Sequence, residues 1–152
     1  NSVCRRNEPE RQSVLARLSA AEHDFPGSVQ ASLQRWYDGT DVPEHVRQRT
    51  RSVLLANDVS SFLRCYRVFA TADAQIAPEL ERIGVPALAI TGELDGGSTP
   101  QMSHRLAESI PDCRVEVVPA ARHMLPVQRP VEFVSTITTF IREKGHVASQ
   151  SV

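Results

Sequence analysis

Val85-Pro86-Ala87-Leu88-Ala89-Ile90-Thr91-Gly92-Glu93-Leu94-Asp95 is a short apolar run that ends in a glycine and two carboxylates. Gly84 and Gly92 bound its apolar part, and the lack of polar alternation predicts a strand buried on both faces, as in a parallel sheet. Thr99-Pro100 then opens a predicted helix through Ile110, with proline in the first turn where it has no helical N–H to lose. Pro111-Asp112 closes that helix. Arg114-Val115-Glu116-Val117-Val118 reads as a second strand, stopped by Pro119. Pro130 opens a last helix whose Phe133, Val134, Ile137, Phe140 and Ile141 form one apolar stripe, expected to stop near Gly145. The prediction is a βαβα unit within residues 76–145, followed by a frayed tail over 146–152.

Upstream, in the region 1–75, residues 8 to about 72 read as helices and little else. Apolar residues recur at three- and four-residue intervals: Val14, Leu15 and Leu18, then Val29, Leu33 and Trp36, then Phe62, Tyr66 and Phe69. This is the period of a helix, not of a strand. Pro26-Gly27 is expected to split the first two helices, Gly39 and Pro43 to bracket the next break, and Asp58 with Ser60 and Ser61 to cap the fourth.

The 152 residues carry 17 Lys+Arg against 18 Asp+Glu and are 41% hydrophobic, which fits a globular chain with a core and disfavours disorder. A formal charge of -1 with interspersed signs leaves no basic footprint for nucleic acid and no polybasic arm for a membrane. No apolar run approaches the roughly 20 residues of a membrane span, and Asn1 to Glu10 lacks a signal-peptide pattern, so a cytoplasmic chain is expected. Cys4, Cys65 and Cys113 are odd in number and lack CxxC spacing, against a disulfide framework or a thiolate zinc site. His23, His45, His104 and His146 show no metal-ligand spacing and read as solvated; no metal is expected.

Asp95 follows the first strand at its carboxyl end, where open α/β sheets bind ligands. His123, in Pro119-Ala120-Ala121-Arg122-His123-Met124, follows the second strand in the same way. The intervening loop, helix and return strand can carry both side chains to one rim, where a carboxylate orients an imidazole. In isolation Asp95-Gly96-Gly97 is ordinary turn chemistry; the equivalent placement of His123 favours a catalytic pair. Alternation points Glu93 away from Asp95, and loop hydrogen bonding is expected of it. Two parallel strands alone leave both edges unpaired and both faces in need of cover, so part of the sheet is expected to come from elsewhere.

These residues resemble the α/β-hydrolase fold family, whose last third reads VPxLxIxGExD, a helix, and a strand ending in a G/A-x-H loop before the final helix. Here the counterparts are Val85 to Asp95 and Ala121-Arg122-His123. The resemblance implies that Asp95 is the triad acid and His123 the general base. The helical block looks like the lid of such enzymes. Arg35-Trp36-Tyr37, Leu54 to Asp58 and Cys65-Tyr66 are similar to lids of the 3-oxoadipate enol-lactonase group.

The family carries its nucleophile on a G-x-S-x-G elbow in the N-terminal half, and no such motif occurs here. The expected reading is therefore the C-terminal half of a hydrolase of carboxylic esters, lactones or related acyl or C–C bonds, inactive by itself. Its sheet, nucleophile and oxyanion hole would be completed by a separate, cleaved or truncated N-terminal half. A small-molecule substrate and no cofactor are implied. Ser98 lies too close to Asp95 to serve as nucleophile, Cys65 sits on a lid helix, and Cys4 and Ser2 lie near the chain's start. Trp36, Tyr66 and Phe69 are candidate walls of a substrate pocket, though aromatic residues at helical spacing more often pack between helices. The rival readings are a non-catalytic ligand receptor of the same fold, and a dehalogenase or epoxide hydrolase with an Asp nucleophile.

Overall fold

The protein is described by a computed structural model covering residues 4–148. Its chain divides into two compact units, one ending at Glu79 and the other beginning at Leu80.

The first unit is helical. Helix α1 (Glu8–His23) begins at a capping box: the Asn7 side chain accepts from the Glu10 amide while the Glu10 carboxylate accepts from the Asn7 amide. Helix α2 (Phe25–Tyr37) follows after one residue, Asp24, whose carboxylate accepts from the Gly27 amide. Pro26-Gly27 therefore lies inside the first turn of α2 and does not form the break. Proline is tolerated there because its missing N–H has no intrahelical partner in any case. Pro43 precedes α3 (Glu44–Leu55), and Asp58 caps α4 (Val59–Thr71) by accepting from the Ser61 amide at 2.8 Å. A four-residue helix α5 (Asp73–Ile76) and a 3-10 turn (Ala77–Arg82) complete the run.

Val14 and Leu18 of α1 close on Ala70 of α4, with Leu63 and Tyr66 packed against them. On α2 the buried stripe is Val29, Leu33 and Tyr37, so Tyr37 and not Trp36 faces inward. A spacing of four throughout keeps these residues on one face, and the Tyr37 hydroxyl finds Thr50 at 2.9 Å.

A buried ion pair ties the start of this unit to its end. Asp73 has no exposed surface and pairs with the Arg6 guanidinium at 3.0 Å, while its second oxygen accepts from the Arg6 amide, also at 3.0 Å. Arg6 further donates to the carbonyls of Phe69 and Ala70 and lies over the Phe69 ring. These bonds satisfy the desolvated charges; removing one partner would leave the other stranded.

The second unit is a βαβα unit. Strands β1 (Ala87–Gly92) and β2 (Cys113–Val118) pair in parallel, Ala87 opposite Cys113 through Gly92 opposite Val118. Helix α6 (Pro100–Ser109), capped by Thr99, makes the crossover and packs on both strands. After β2 come a short helix α7 (Leu125–Gln128) and a long helix α8 (Pro130–Ala148). Ile90 and Phe133 pack against a buried cluster of Val118, Ala121 and Leu125, and Phe140 lies under the Arg114 guanidinium. No described helix is long and apolar enough to cross a membrane.

Three expectations need correction. β1 is not buried on both faces: Ala89, Thr91 and Gly92 are buried, but Ala87, Leu88 and Ile90 are only half-covered, and of β2 only Val118 is buried. The described residues supply too little structure to cover a sheet twice. Helix α8 passes through Gly145 to Ala148, because one glycine weakens a helix by only about 1 kcal/mol; the rest of the expected tail, 149–152, lies outside the described residues. The stripe on α8 is also narrower than the sequence suggests. Val134 and Ile141 are 56% and 60% exposed and share a side of the helix with Val131, at 76%.

Replacing Asp73 by alanine is expected to cost the helical unit about 3–5 kcal/mol, the usual penalty for stranding one member of a buried pair. The check is urea unfolding followed through the fluorescence of Trp36, the chain's single tryptophan. An unchanged transition would contradict the clamp.

Candidate active site

The turn after β1 is built around the Asp95 carboxylate. One oxygen accepts from the amides of Gly97 and Ser98 at 2.8 and 2.9 Å. The Thr91 hydroxyl, buried at the end of β1, donates to the Ser98 carbonyl at 2.6 Å and closes the same turn. Asp95 is thereby 7% exposed with one oxygen committed to the backbone. Its other oxygen lies 2.8 Å from Nδ1 of His123.

His123 is brought there by a loop that crosses the end of β1. The Leu94 amide donates to the Ala121 carbonyl at 2.8 Å, and Glu93 accepts from the Ala120 amide at 2.9 Å. Glu93 thus makes a loop hydrogen bond and does not compete with Asp95 for the imidazole. The crossing is so close that a Cβ on Gly92 would overlap the carbonyls of Ala121 and Arg122. Glycine is required at 92 for that reason. Ala120 holds a left-handed conformation, φ 53°, which carries a steric penalty for a residue with a Cβ.

Burial is the largest single influence on Asp95 and pushes its carboxyl up. The His123 hydrogen bond, the Ser98 amide, the charge of His123 and the Gly97 amide together outweigh it, holding the group below its ordinary value of 3.8. The carboxylate is therefore ionised at neutral pH and accepts from the imidazole. With Nδ1–H donated to Asp95, Nε2 is the nitrogen available for proton exchange with a substrate or nucleophile. The His123 side chain is 38% exposed, so this chemistry is open to a ligand.

Beside the pair lies a cavity of about 210 Å³ walled by Ile90, Thr91, Leu125, Pro126 and Phe133. Ligand sites usually run from roughly 300 Å³ upward, so this cavity is at the small end. Trp36, Tyr66 and Phe69 are not among its lining residues. In the helical unit Tyr66 packs on the Val14 cluster and stands between Phe62 and Phe69, with ring centroids 5.7 and 5.3 Å away. Phe69 lies under Arg6, and Trp36 is half-buried on α2. Thr91 and Gly92 are site-building residues that sequence reasoning passed over, although the glycine at the strand's end was a visible signal.

The residues weighed as internal nucleophiles have other roles or settings. Ser98 gives its amide to Asp95 and its carbonyl to Thr91, as part of the turn. Cys4 is buried, Cys65 is exposed on α4, and burial pushes the Cys113 thiol up, away from the reactive thiolate. Ser2 lies outside the described residues. No group of three or more His, Cys, Asp or Glu suited to a metal ion occurs among the described residues.

No protein-family model matches the chain. It is 28% identical over 130 residues to (E)-2-((N-methylformamido)methylene)succinate hydrolase of Acinetobacter baylyi, covering 86% of this chain and 49% of that protein. It is 27% identical over 136 residues to 3-oxoadipate enol-lactonase 2 of the same organism, covering 88% and 49%. Among solved structures, the enol-lactonase from Burkholderia xenovorans superposes with a TM-score of 0.74 at 27% identity, over 84% of this chain and 49% of that one. The chain thus spans about half the length of the relatives it matches. Its fold is that of an α/β-hydrolase, and the helical block followed by βαβα corresponds to the C-terminal portion of that fold.

Replacing His123 by alanine removes two of the influences that lower Asp95 and leaves burial opposed only by the two amides. The Asp95 carboxyl should then titrate at higher pH, as followed by carbon-detected NMR. A depressed carboxylate stabilises the folded chain fully above pH 3.8, and that contribution disappears as pH falls through the folded value. Acid unfolding of His123→Ala should therefore begin at higher pH than in the parent; an unmoved Asp95 titration would contradict the pairing.

Proposed function

We propose that this α/β-hydrolase-fold chain supplies the acid and the general base of a hydrolase acting on a carboxylic ester, lactone or related acyl bond. The observation that carries the reading is the 2.8 Å contact between Asp95 and His123 at adjacent strand ends. His123 Nε2 takes the proton from the nucleophile's hydroxyl or thiol as that atom bonds to the acyl carbon, and returns it to the leaving group as the tetrahedral adduct collapses. In the second half-reaction His123 deprotonates water, which attacks the acyl-enzyme and restores the nucleophile. Asp95 stays ionised throughout, fixing the tautomer and stabilising the imidazolium. No cofactor enters this scheme.

The nucleophile and the oxyanion donors come, in this reading, from an N-terminal half or partner chain that also extends the sheet. Two features support it. Parallel pairing uses alternate residues, and the Ala87 and Glu93 amides point to β2, so those of Leu88, Ile90 and Gly92 point away, toward an edge unpaired among the described residues. The exposed face of Val131, Val134 and Ile141 on α8 likewise has the composition of an interface.

The helical unit is the lid. Tyr66 is engaged in its packing and accepts a hydrogen bond from Arg17; the remaining surface of Trp36 and Phe69 is the part of the proposed aromatic wall that a ligand can reach. Both curated relatives are named for carboxylate-bearing compounds, which makes a small ester or lactone with a further carboxylate the first natural substrate to try. Cys4, Cys65 and Cys113 form no disulfide, which suits a cytoplasmic setting.

The test is hydrolysis of p-nitrophenyl acetate by the chain combined with a polypeptide that carries the proposed nucleophile elbow. His123→Ala should lower kcat by about two to four orders of magnitude, the usual share of a general base. Equal rates with and without the imidazole would overturn the role of His123.

A further inference from the structure

The geometry points to Gln128 as the positioning residue that holds the histidine loop in register with Asp95. Gln128 is the last residue of α7, is 8% exposed and carries no charge, and its side-chain hydrogen bonds go to the loop backbone and not to Asp95 or His123. Its amide turns back under the loop. Oε1 accepts from the Arg122 amide at 2.8 Å, and Nε2 donates to the Ala120 carbonyl at 3.2 Å. One planar group therefore spans Ala121 and fixes the backbone on both sides of it.

Consider what the loop requires. Ala120 sits at φ 53°, a conformation a non-glycine residue leaves unless its surroundings hold it. Its amide is taken by Glu93 and its carbonyl by Gln128. The next carbonyl, of Ala121, is taken by the Leu94 amide, and the next amide, of Arg122, by Gln128 again. His123 follows directly. The imidazole projects from the first residue beyond this tethered segment, so the direction in which Nδ1 meets Asp95 is set by the segment's backbone. A buried side-chain amide with both of its ends paired is stiff in a way that an apolar residue at 128 would not be.

This role rests on His123 being the base of the proposed reaction, but its signature does not depend on activity. The readout is the His123 Nδ1–H proton, observed by nitrogen-edited NMR in the 152-residue chain, whose exchange with water reports how steadily Asp95 holds it. Losing the two Gln128 bonds in Gln128→Ala should speed that exchange by about fivefold to a hundredfold, the effect of two net hydrogen bonds on local opening. In the double variant Gln128→Ala with Ala120→Gly, glycine adopts the left-handed conformation unaided, and exchange should return most of the way to the parent rate. A merely structural loss at position 128 would not be repaired by a glycine eight residues earlier.

If Gln128→Ala does not fold, Gln128→Glu carries the same test. It keeps the acceptor for the Arg122 amide and loses the donor to the Ala120 carbonyl, so faster exchange than in the parent is expected. Parent-like exchange in whichever variant folds, or a double variant as fast as the single one, overturns the proposal. Failure of His123 as a base would show instead as unchanged ester hydrolysis in His123→Ala, with the exchange pattern intact.

Discussion

A pair of parallel strands can satisfy only the backbone groups that face each other. β1 turns the amides and carbonyls of alternate residues toward β2 and those of Leu88, Ile90 and Gly92 toward an edge without a described strand. Of the two strands β1 has the more buried residues, as the proposed interior place in a larger sheet would require. The proposed completion of the sheet by another body would also cover the half-covered faces and the apolar side of α8.

Within that limit the site is closely specified. The parallel register sets Gly92 opposite Val118, so the two loops leave the sheet side by side. Gly92 lets the second loop cross the first strand, and Thr91 with the amides of Gly97 and Ser98 fixes the Asp95 carboxylate. Hydrogen bonds from strand, turn and α7 then hold the segment before His123. The acid and base are joined by one contact, but at least four elements determine where it falls. The Arg6–Asp73 clamp plays a comparable part in the helical unit, joining the ends of a run of helices into one body.

Much of this was legible in the sequence. The apolar run ending at Gly92, the proline in the first turn of α6 and the Pro119 stop gave the βαβα order, and the matched positions of Asp95 and His123 gave the pair. The errors have local causes. The strand begins at Ala87 and not at Val85: the Ala87 amide is the first to reach across, to Asp112. Trp36 and Tyr37 fit a helical stripe equally well until the Thr50 hydroxyl selects the tyrosine. α7 was missed because four residues with a proline among them carry no period. Gln128 was invisible for a different reason: its partners are backbone atoms, which leave no trace in residue types.

In the proposed reading β1 is an interior strand of a larger sheet, and the nucleophile arrives on the same body that pairs with it. Amide hydrogen exchange along β1 tests this, in the chain alone and with the proposed elbow-bearing polypeptide added. In the chain alone, Ala89 and Thr91 should be protected by β2 while Leu88 and Ile90 exchange nearly freely; adding that polypeptide should raise protection at Leu88 and Ile90 to the level of their neighbours. Full protection of Leu88 and Ile90 in the chain alone would show a self-sufficient sheet and contradict the account.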